Sequence, residues 1–429
     1  MFFIHFSAHT NLKLVLKLRN PQQHFAEDSR LTIMTPEQPK LTPSPKSKLN
    51  LALLGLIALF SLGLLVRLDA RNIIGDMSKY YFNRYQNIMD NGLAASFLAH
   101  FTDYTPAFWY LFAGTTLLDP ILPRVTAIKL LPILFDCIST YFVYHIVRLK
   151  YPTGTKPTWA AGLFFALPTL FINSAQWGQM DALYTTFLII SLFFFLQEKP
   201  LQGMLAFALS FAIKFQAIFF VPFLVVLLLK KKILWWQFFL VPAVYVITCV
   251  PAVILGSNWL DVLTIYLRQT TLFSQLSVNA PNLYIFVPWE YAEPALTIGF
   301  IVAFCTLAGW IIFTALDKRE ITPERMVLLA LISVSLTPFV LPRMHERYFY
   351  PADALSLIVA FYIPDLWIVP FAFQLSSGLA SAVYLKGKSP EPVMFGALIN
   401  TVILIVLLIY QFSRRSNSLG EASEHEIDY

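Results

Sequence analysis

Four stretches, far apart along the chain, hold the residues able to do chemistry in an otherwise apolar protein. The first carries Gly75-Asp76 and, further on, Asp103-Tyr104-Thr105-Pro106. The second is Asn173-Ser174-Ala175-Gln176-Trp177-Gly178-Gln179-Met180-Asp181, and the third is Lys214-Phe215-Gln216. The fourth is Leu341-Pro342-Arg343-Met344-His345-Glu346-Arg347-Tyr348-Phe349-Tyr350. A carboxylate such as Asp76 can act as a general base towards a sugar hydroxyl, which needs only reach and a suitable pKa. The same residue, behind a glycine and ahead of an amphipathic stretch, is also a good helix N-cap. Asp103 reads as a turn residue on its own, and Asp69 and Asp90 as solvated loop or helix-end acids.

Lys214 lies among Phe211, Phe215, Phe219 and Phe220. A lysine there is expensive unless it is paired or faces water or an anion; snorkelling to the interface is the alternative. Arg343, His345, Glu346 and Arg347 form either an interfacial anchor or, with Lys214, a group of cations for a phosphate at headgroup depth. On a helix, Arg343 and Arg347 would share one face. Gln176, Gln179 and Asp181 suit sugar hydroxyls. Trp177 suits stacking on a sugar ring and equally well a plain interface position.

The elements that must position these groups are membrane helices. Of 429 residues, 57% are hydrophobic and only 13% charged, with a mean hydropathy of +0.63, against about 25% charged in soluble domains. The net charge of +6 fits membrane topology, and without a soluble basic domain nucleic-acid binding is excluded. Cys137, Cys249 and Cys305 all fall in apolar runs, which predicts buried thiols with no disulfide framework and no metal-ligand spacing.

An all-α bundle of about twelve spans is expected, at 50–68, 125–147, 158–172, 180–196, a pair within 201–229, 233–255, 292–316, 326–341, 348–364, 366–385 and 393–412. Lys46 and Lys48, Arg148 and Lys150, Lys230-Lys231-Lys232, Lys318-Arg319 and Arg414-Arg415 put both termini in the cytoplasm; Lys386 and Lys388 dissent. Residues 1–48 read as a flexible cytoplasmic tail that is not a signal peptide, with Met34 a possible true start, and 414–429 as a disordered tail. The transmembrane domain is 49–413. Its first external loop, 69–123, holds interfacial helices, and its late external loop is 256–291. Two crossings within 201–229 leave each arm only ~21 Å long against a ~30 Å core. The turn at Lys214 and Gln216 should therefore lie below the outer surface, in a water-filled hollow. All four polar stretches then converge on the non-cytoplasmic face.

Together these residues resemble the GT-C superfamily of glycosyltransferases, which take sugars from polyprenyl-phosphate carriers. The nearest patterns are the asparagine-linked-glycosylation glucosyltransferases and bacterial GPI mannosyltransferase II-like proteins. Gly75-Asp76 looks like the acidic residue opening their first external loop. Asp103-Tyr104-Thr105-Pro106 looks like their Asp-Tyr-Pro-Pro element, with threonine for the first proline. His345-Glu346-Arg347 resembles their His-Glu-Lys/Arg element, Lys214 their hairpin lysine, and Asn279-Ala280-Pro281-Asn282-Leu283-Tyr284 a late-loop motif of the mannosyltransferase-like group. The resemblance implies inverting hexosyl transfer, with mannose favoured over glucose, from a polyprenyl- or dolichyl-phosphate sugar to a glycan or lipid-linked acceptor. Asp76 is the implied catalytic base. Lys214, His345, Arg347 and Arg343 are the implied phosphate-binding cations. Asp103, Tyr104, Gln176, Trp177, Gln179, Asp181 and Glu346 are the implied sugar or acceptor contacts. No metal or other cofactor is required by this scheme. A bacterial inner membrane is the expected location, or the ER membrane in a eukaryote. The competing reading is a lipid-linked sugar flippase or exporter, which has no use for a general base.

Overall fold

The computed structural model describes residues 45–68, 77–98, 104–269, 275–387 and 389–413. Asp76, Asp103, Lys388, Arg414 and Arg415 lie outside them. Met1–Lys48 and Leu49–Tyr429 are separate units, and the fold described is that of the second.

The first helix, α1, is Pro45–Leu68. The loop after it carries α2 (Phe82–Leu98), broken at Gly92 where φ is 78°, and α3 (Pro106–Gly114). At 1.5 Å per residue α3 is only about 14 Å long, too short to cross a membrane. Its Phe112 ring packs against Tyr81 and Tyr85, and Trp109 meets Phe108 and Phe112 edge-on. Next come α4 (Arg124–Lys150), α5 (Lys156–Phe165), α6 (Pro168–Phe171), α7 (Asp181–Leu196) and α8 (Pro200–Ile213). They are followed by α9 (Val221–Leu229), α10 (Leu240–Ile254) and the short α11 (Trp259–Leu263) and α12 (Ile265–Gln269). The chain ends with α13 (Ala292–Leu316), α14 (Pro323–Val340), α15 (Tyr350–Tyr362), α16 (Val369–Lys386) and α17 (Glu391–Phe412). Many of these helices open with proline in the first turn, among them α3, α5, α8, α14, α15 and α17. The missing N–H costs nothing there, because the first-turn donors have no intrahelical acceptor.

The chain is a membrane-embedded helical bundle. Six described helices are long and apolar enough to cross a membrane, and a seventh crossing is possible through the pair Lys156–Phe165 and Pro168–Trp177, bent by 42°. Pro168 supplies the bend, since a proline cannot continue the α5 ladder. Five further apolar helices are shorter: Leu53–Leu68, Asp181–Leu196, Pro200–Ile213, Phe215–Leu229 and Tyr350–Tyr362. At the centre stands α14, 89% of whose apolar window is buried, whereas α13 buries 17% and turns Phe300, Ile301, Phe304 and Phe313 outward. Cys137 and Cys305 are likewise exposed and only Cys249 is buried, which corrects the expectation of three buried thiols. Apolar surroundings on a membrane helix include the lipid-facing side.

Side-chain contacts sort the helix ends into two groups. At one end, Lys150 donates to the carbonyl of Tyr362 and pairs with Glu324. There too Lys230 donates to the carbonyl of Asp317, and Arg319 reaches the carbonyls of Gln411 and Ser413. The opposite end gathers the start of α7, the end of α8, and the junction between α14 and α15. At that end the late loop is tied down by β1 (Ser277–Val278), which pairs in parallel with β2 (Met344–His345). Asn282, fully buried, donates to the carbonyls of Pro338 and Leu341, and the Tyr284 hydroxyl donates to that of Val340. The Asn279–Tyr284 motif is thus the lock that holds the late loop on the end of α14.

Candidate functional site

Three breaks in regular helix create the site. After α6 the chain makes a wide turn over Ile172–Trp177 and leaves it through Gly178, at φ 77°. That left-handed conformation favours glycine, and a side chain would also collide with the Met77 methyl. Asp181 then starts α7. The second break is Lys214, extended (φ −150°, ψ 133°) between α8 and the tight Phe215–Phe220 turn. The hairpin break expected at this lysine is present.

The third break is the segment between α14 and α15. Arg343, at φ 62°, and Glu346 donate their backbone N–H groups to the carbonyls of Leu276 and Val278. These bonds replace a helical ladder, so α15 begins only at Tyr350. The shared helix face expected for Arg343 and Arg347 is therefore corrected: Arg343 sits in a left-handed bend and Arg347 in a turn.

The breaks bring together a dense set of charges. Lys214 Nζ is 2.5 Å from Asp181 Oδ1, and Asn173 Nδ2 donates to Asp181 Oδ2 at 3.0 Å. Arg347 Nη1 donates to Glu346 Oε1 at 2.8 Å, while its Nε lies 3.7 Å from Asp181 Oδ2. The Asp181 and Glu346 side chains are wholly buried, and those of Lys214 and Arg347 are only 8% and 13% exposed. Isolated charges so placed would be costly, and mutual pairing is what makes the arrangement tolerable. Gln216 donates to the Tyr348 hydroxyl at 2.8 Å. Burial, reinforced by the charges of Arg347 and Lys214, pushes His345 down to about 2. It therefore brings a neutral imidazole, not the positive charge expected of it.

Of the remaining site candidates, Trp177 is 1% exposed. Its ring lies 4.7 Å from that of Tyr384, with the Arg347 guanidinium 5.8 Å over it. The open stacking face expected for a sugar is thus occupied by protein. Gln176 donates to the carbonyl of Val66, Gln179 is fully buried, and Tyr104 shares a 2.9 Å hydrogen bond with Tyr81 and stacks on Phe108. Near the charges, polar atoms with no hydrogen-bond partner among the described residues include Glu346 Oε2, Trp177 Nε1, Asn173 Oδ1, Gln216 Oε1 and the Tyr184 hydroxyl. Buried polar groups are otherwise almost always satisfied, so these atoms hold hydrogen-bonding capacity that the described residues leave unused. Among the described residues no group of His, Cys, Asp and Glu is arranged to hold a metal ion.

Three charged residues absent from the sequence reading, Lys129, Arg67 and Asp136, also belong here. Lys129, fully buried in α4, donates to the carbonyl of Gln176 at 2.9 Å and packs beside Gly178. Arg67 and Asp136 form a second buried network with Ser174 of the Ile172–Trp177 turn and Tyr350. The signal available for Lys129 and Asp136 was a charge inside an apolar span, which by itself points to a partner or a function. No protein-family model matches the chain, and no curated protein matches it.

Proposed function

We propose that this chain is an inverting glycosyltransferase of GT-C type, moving a hexose, mannose first, from a polyprenyl-phosphate carrier to a glycan or lipid-linked acceptor. The observation that carries this reading is the buried group of Asp181, Lys214, Glu346 and Arg347, drawn from three separate breaks at one end of a membrane bundle. In this reading the six long helices, the bent pair and the five shorter ones make twelve crossings. The charged group then faces the non-cytoplasmic side, with both termini in the cytoplasm.

The donor phosphate lies at headgroup depth against Arg347 and Lys214, with Arg343 beside them and His345 as a neutral donor. An acceptor hydroxyl attacks the anomeric carbon, the bond from that carbon to the phosphate oxygen breaks, and Asp76 takes the hydroxyl proton. Cations fixed before the reaction stabilise the charge gathering on the departing phosphate without reorganising. Asp181 holds Lys214 and Arg347 in place. Asp103, Tyr104, Gln176, Trp177, Gln179 and Glu346 complete the sugar and acceptor side.

The test is sugar transfer by purified protein from a panel of polyprenyl-phosphate sugars, wild type beside Asp76→Asn. Transfer by the wild type and its loss in a normally folded variant is the expected result. Full activity in Asp76→Asn removes the base assignment. No donor consumption, with labelled lipid-sugar crossing liposomes that hold the protein, replaces the transferase by a flippase.

A further inference from the structure

We propose that Asp136 is a positioning residue for the candidate site, its carboxylate fixing the end of α1, the Ile172–Trp177 turn and the start of α15 against one another. Asp136 lies on α4, about 18 Å along the axis from Arg124, and is 1% exposed. Its Oδ2 accepts from Arg67 Nη2 at 2.8 Å, from Arg67 Nε at 3.2 Å and from Ser174 Oγ at 2.6 Å. Its Oδ1 accepts from the Tyr350 hydroxyl at 2.9 Å. Arg67 Nη1 donates to the carbonyls of Phe165 and Gly63.

Each donor belongs to a segment that delivers part of the site. Arg67 is in the last turn of α1, and the carbonyl of its neighbour Val66 accepts from Gln176. Ser174 adjoins Asn173, which donates to Asp181. The Tyr350 N–H donates to the carbonyl of Arg347 at 3.0 Å. One carboxylate thus stands two hydrogen bonds behind Gln176, Asp181 and Arg347, residues spread over the second and fourth polar stretches.

Stability alone does not call for this arrangement. Replacing a buried ion pair by apolar side chains of similar volume is often neutral or stabilising. Apolar contacts hold helices together by area, whereas four directed hydrogen bonds to one carboxylate also fix where along each other the segments sit. A site that must hold a phosphate and a hydroxyl in line needs that second property, because a misplacement near 1 Å can cost about 10²-fold in rate.

The kinetic part of the test rests on the transferase reading; the exchange part does not. The full chain carrying Arg67→Leu/Asp136→Leu has no unpaired charge and is expected to melt within a few degrees of the wild type. In it, amide exchange is expected to rise roughly tenfold across 173–181 and 343–350 while 317–325 keeps its protection. Transfer per folded molecule is expected to fall in kcat by about 10²-fold, with the donor KM changed much less. Wild-type exchange in both segments, or wild-type kcat, overturns the assignment. If the double variant does not fold, Asp136→Glu decides: the carboxylate moves by one methylene, and local exchange rising in both segments supports the proposal while wild-type exchange overturns it. A wild-type protein that turns over no donor sinks the transferase reading alone, and exchange still decides the positioning role.

Discussion

The two ends of the bundle each carry a network of acids and cations, and the networks are built for different ends. At the end holding α13 and α17, Asp317 accepts from both Arg319 and Arg325, each at 2.5 Å. The cations there then close backbone: Lys230 on Asp317, Arg319 on Gln411 and Ser413, Arg325 on Arg319 and Glu320. Burial pushes the Asp317 carboxyl up, yet the Arg319 hydrogen bonds and the two guanidinium charges outweigh it and hold it down at about 2. At the other end Asp181, Lys214, Glu346 and Arg347 pair chiefly with one another, across the three chain breaks. Charges that cap helix ends complete a fold. Charges that pair across chain breaks are the ones on which the proposed site rests.

The widest separation between the two ends is expected from a matched pair of truncations. Arg347→Ala leaves Glu346 and Asp181 buried with less counter-charge, at about 3–5 kcal/mol of stability, and transfer per folded molecule should drop by at least about 10²-fold. Arg325→Ala should cost about 1–3 kcal/mol and leave transfer per folded molecule unaltered. Thermal melts in detergent beside turnover numbers read both, and equal turnover losses would erase the distinction.

A pH series sharpens the comparison at intermediate size. His345 is held neutral in the fold, while the unfolded chain protonates it below about 6.5. Stability should therefore fall as the pH drops below 6.5, by up to about 1.4 kcal/mol per unit, and His345→Gln should flatten that slope. Asp317 has the opposite origin but the same direction. Its stabilisation is complete above the unfolded carboxylate value of about 3.9 and is lost only as the pH falls towards 2. Melts between pH 7 and 5 thus see His345 and not Asp317. The smallest effect belongs to the Lys150–Glu324 pair, 3.0 Å apart with side chains 24% and 41% exposed. Glu324→Gln should change stability by less than about 1 kcal/mol; a larger shift in the melt would mean that this pair is part of the end network.

Much of this was legible in the chain, because membrane helices announce themselves locally. The helices at 124–150, 292–316, 323–340 and 391–412 fall where apolar run length places them, and the break at Lys214 followed from a run too short for two full crossings. The site was legible only as residue types. Asp181 and Lys214 were both singled out, one for a sugar and one for a phosphate, but nothing in sequence reveals that they are bound to each other. Trp177 was read as a stacking face or an interface residue, and Tyr384, some two hundred positions away, packs on its ring. Arg343 and Arg347 were set on a helix because spacing is all that sequence offers, whereas cross-chain bonds to Leu276 and Val278 decide that backbone. Asp136 and Lys129 were passed over inside a span whose remaining residues were read as apolar filler.

What the sequence determined by itself is the bundle: long apolar runs must satisfy their backbone internally, and helix is the local way to do so. What the tertiary structure decided is which charges meet. Pairing depends on where helices end relative to one another, and those offsets come from packing between segments that share no sequence neighbourhood. Asp136 with Arg67, and Asp181 with Lys214, exist as pairs only once the helices that carry them are side by side.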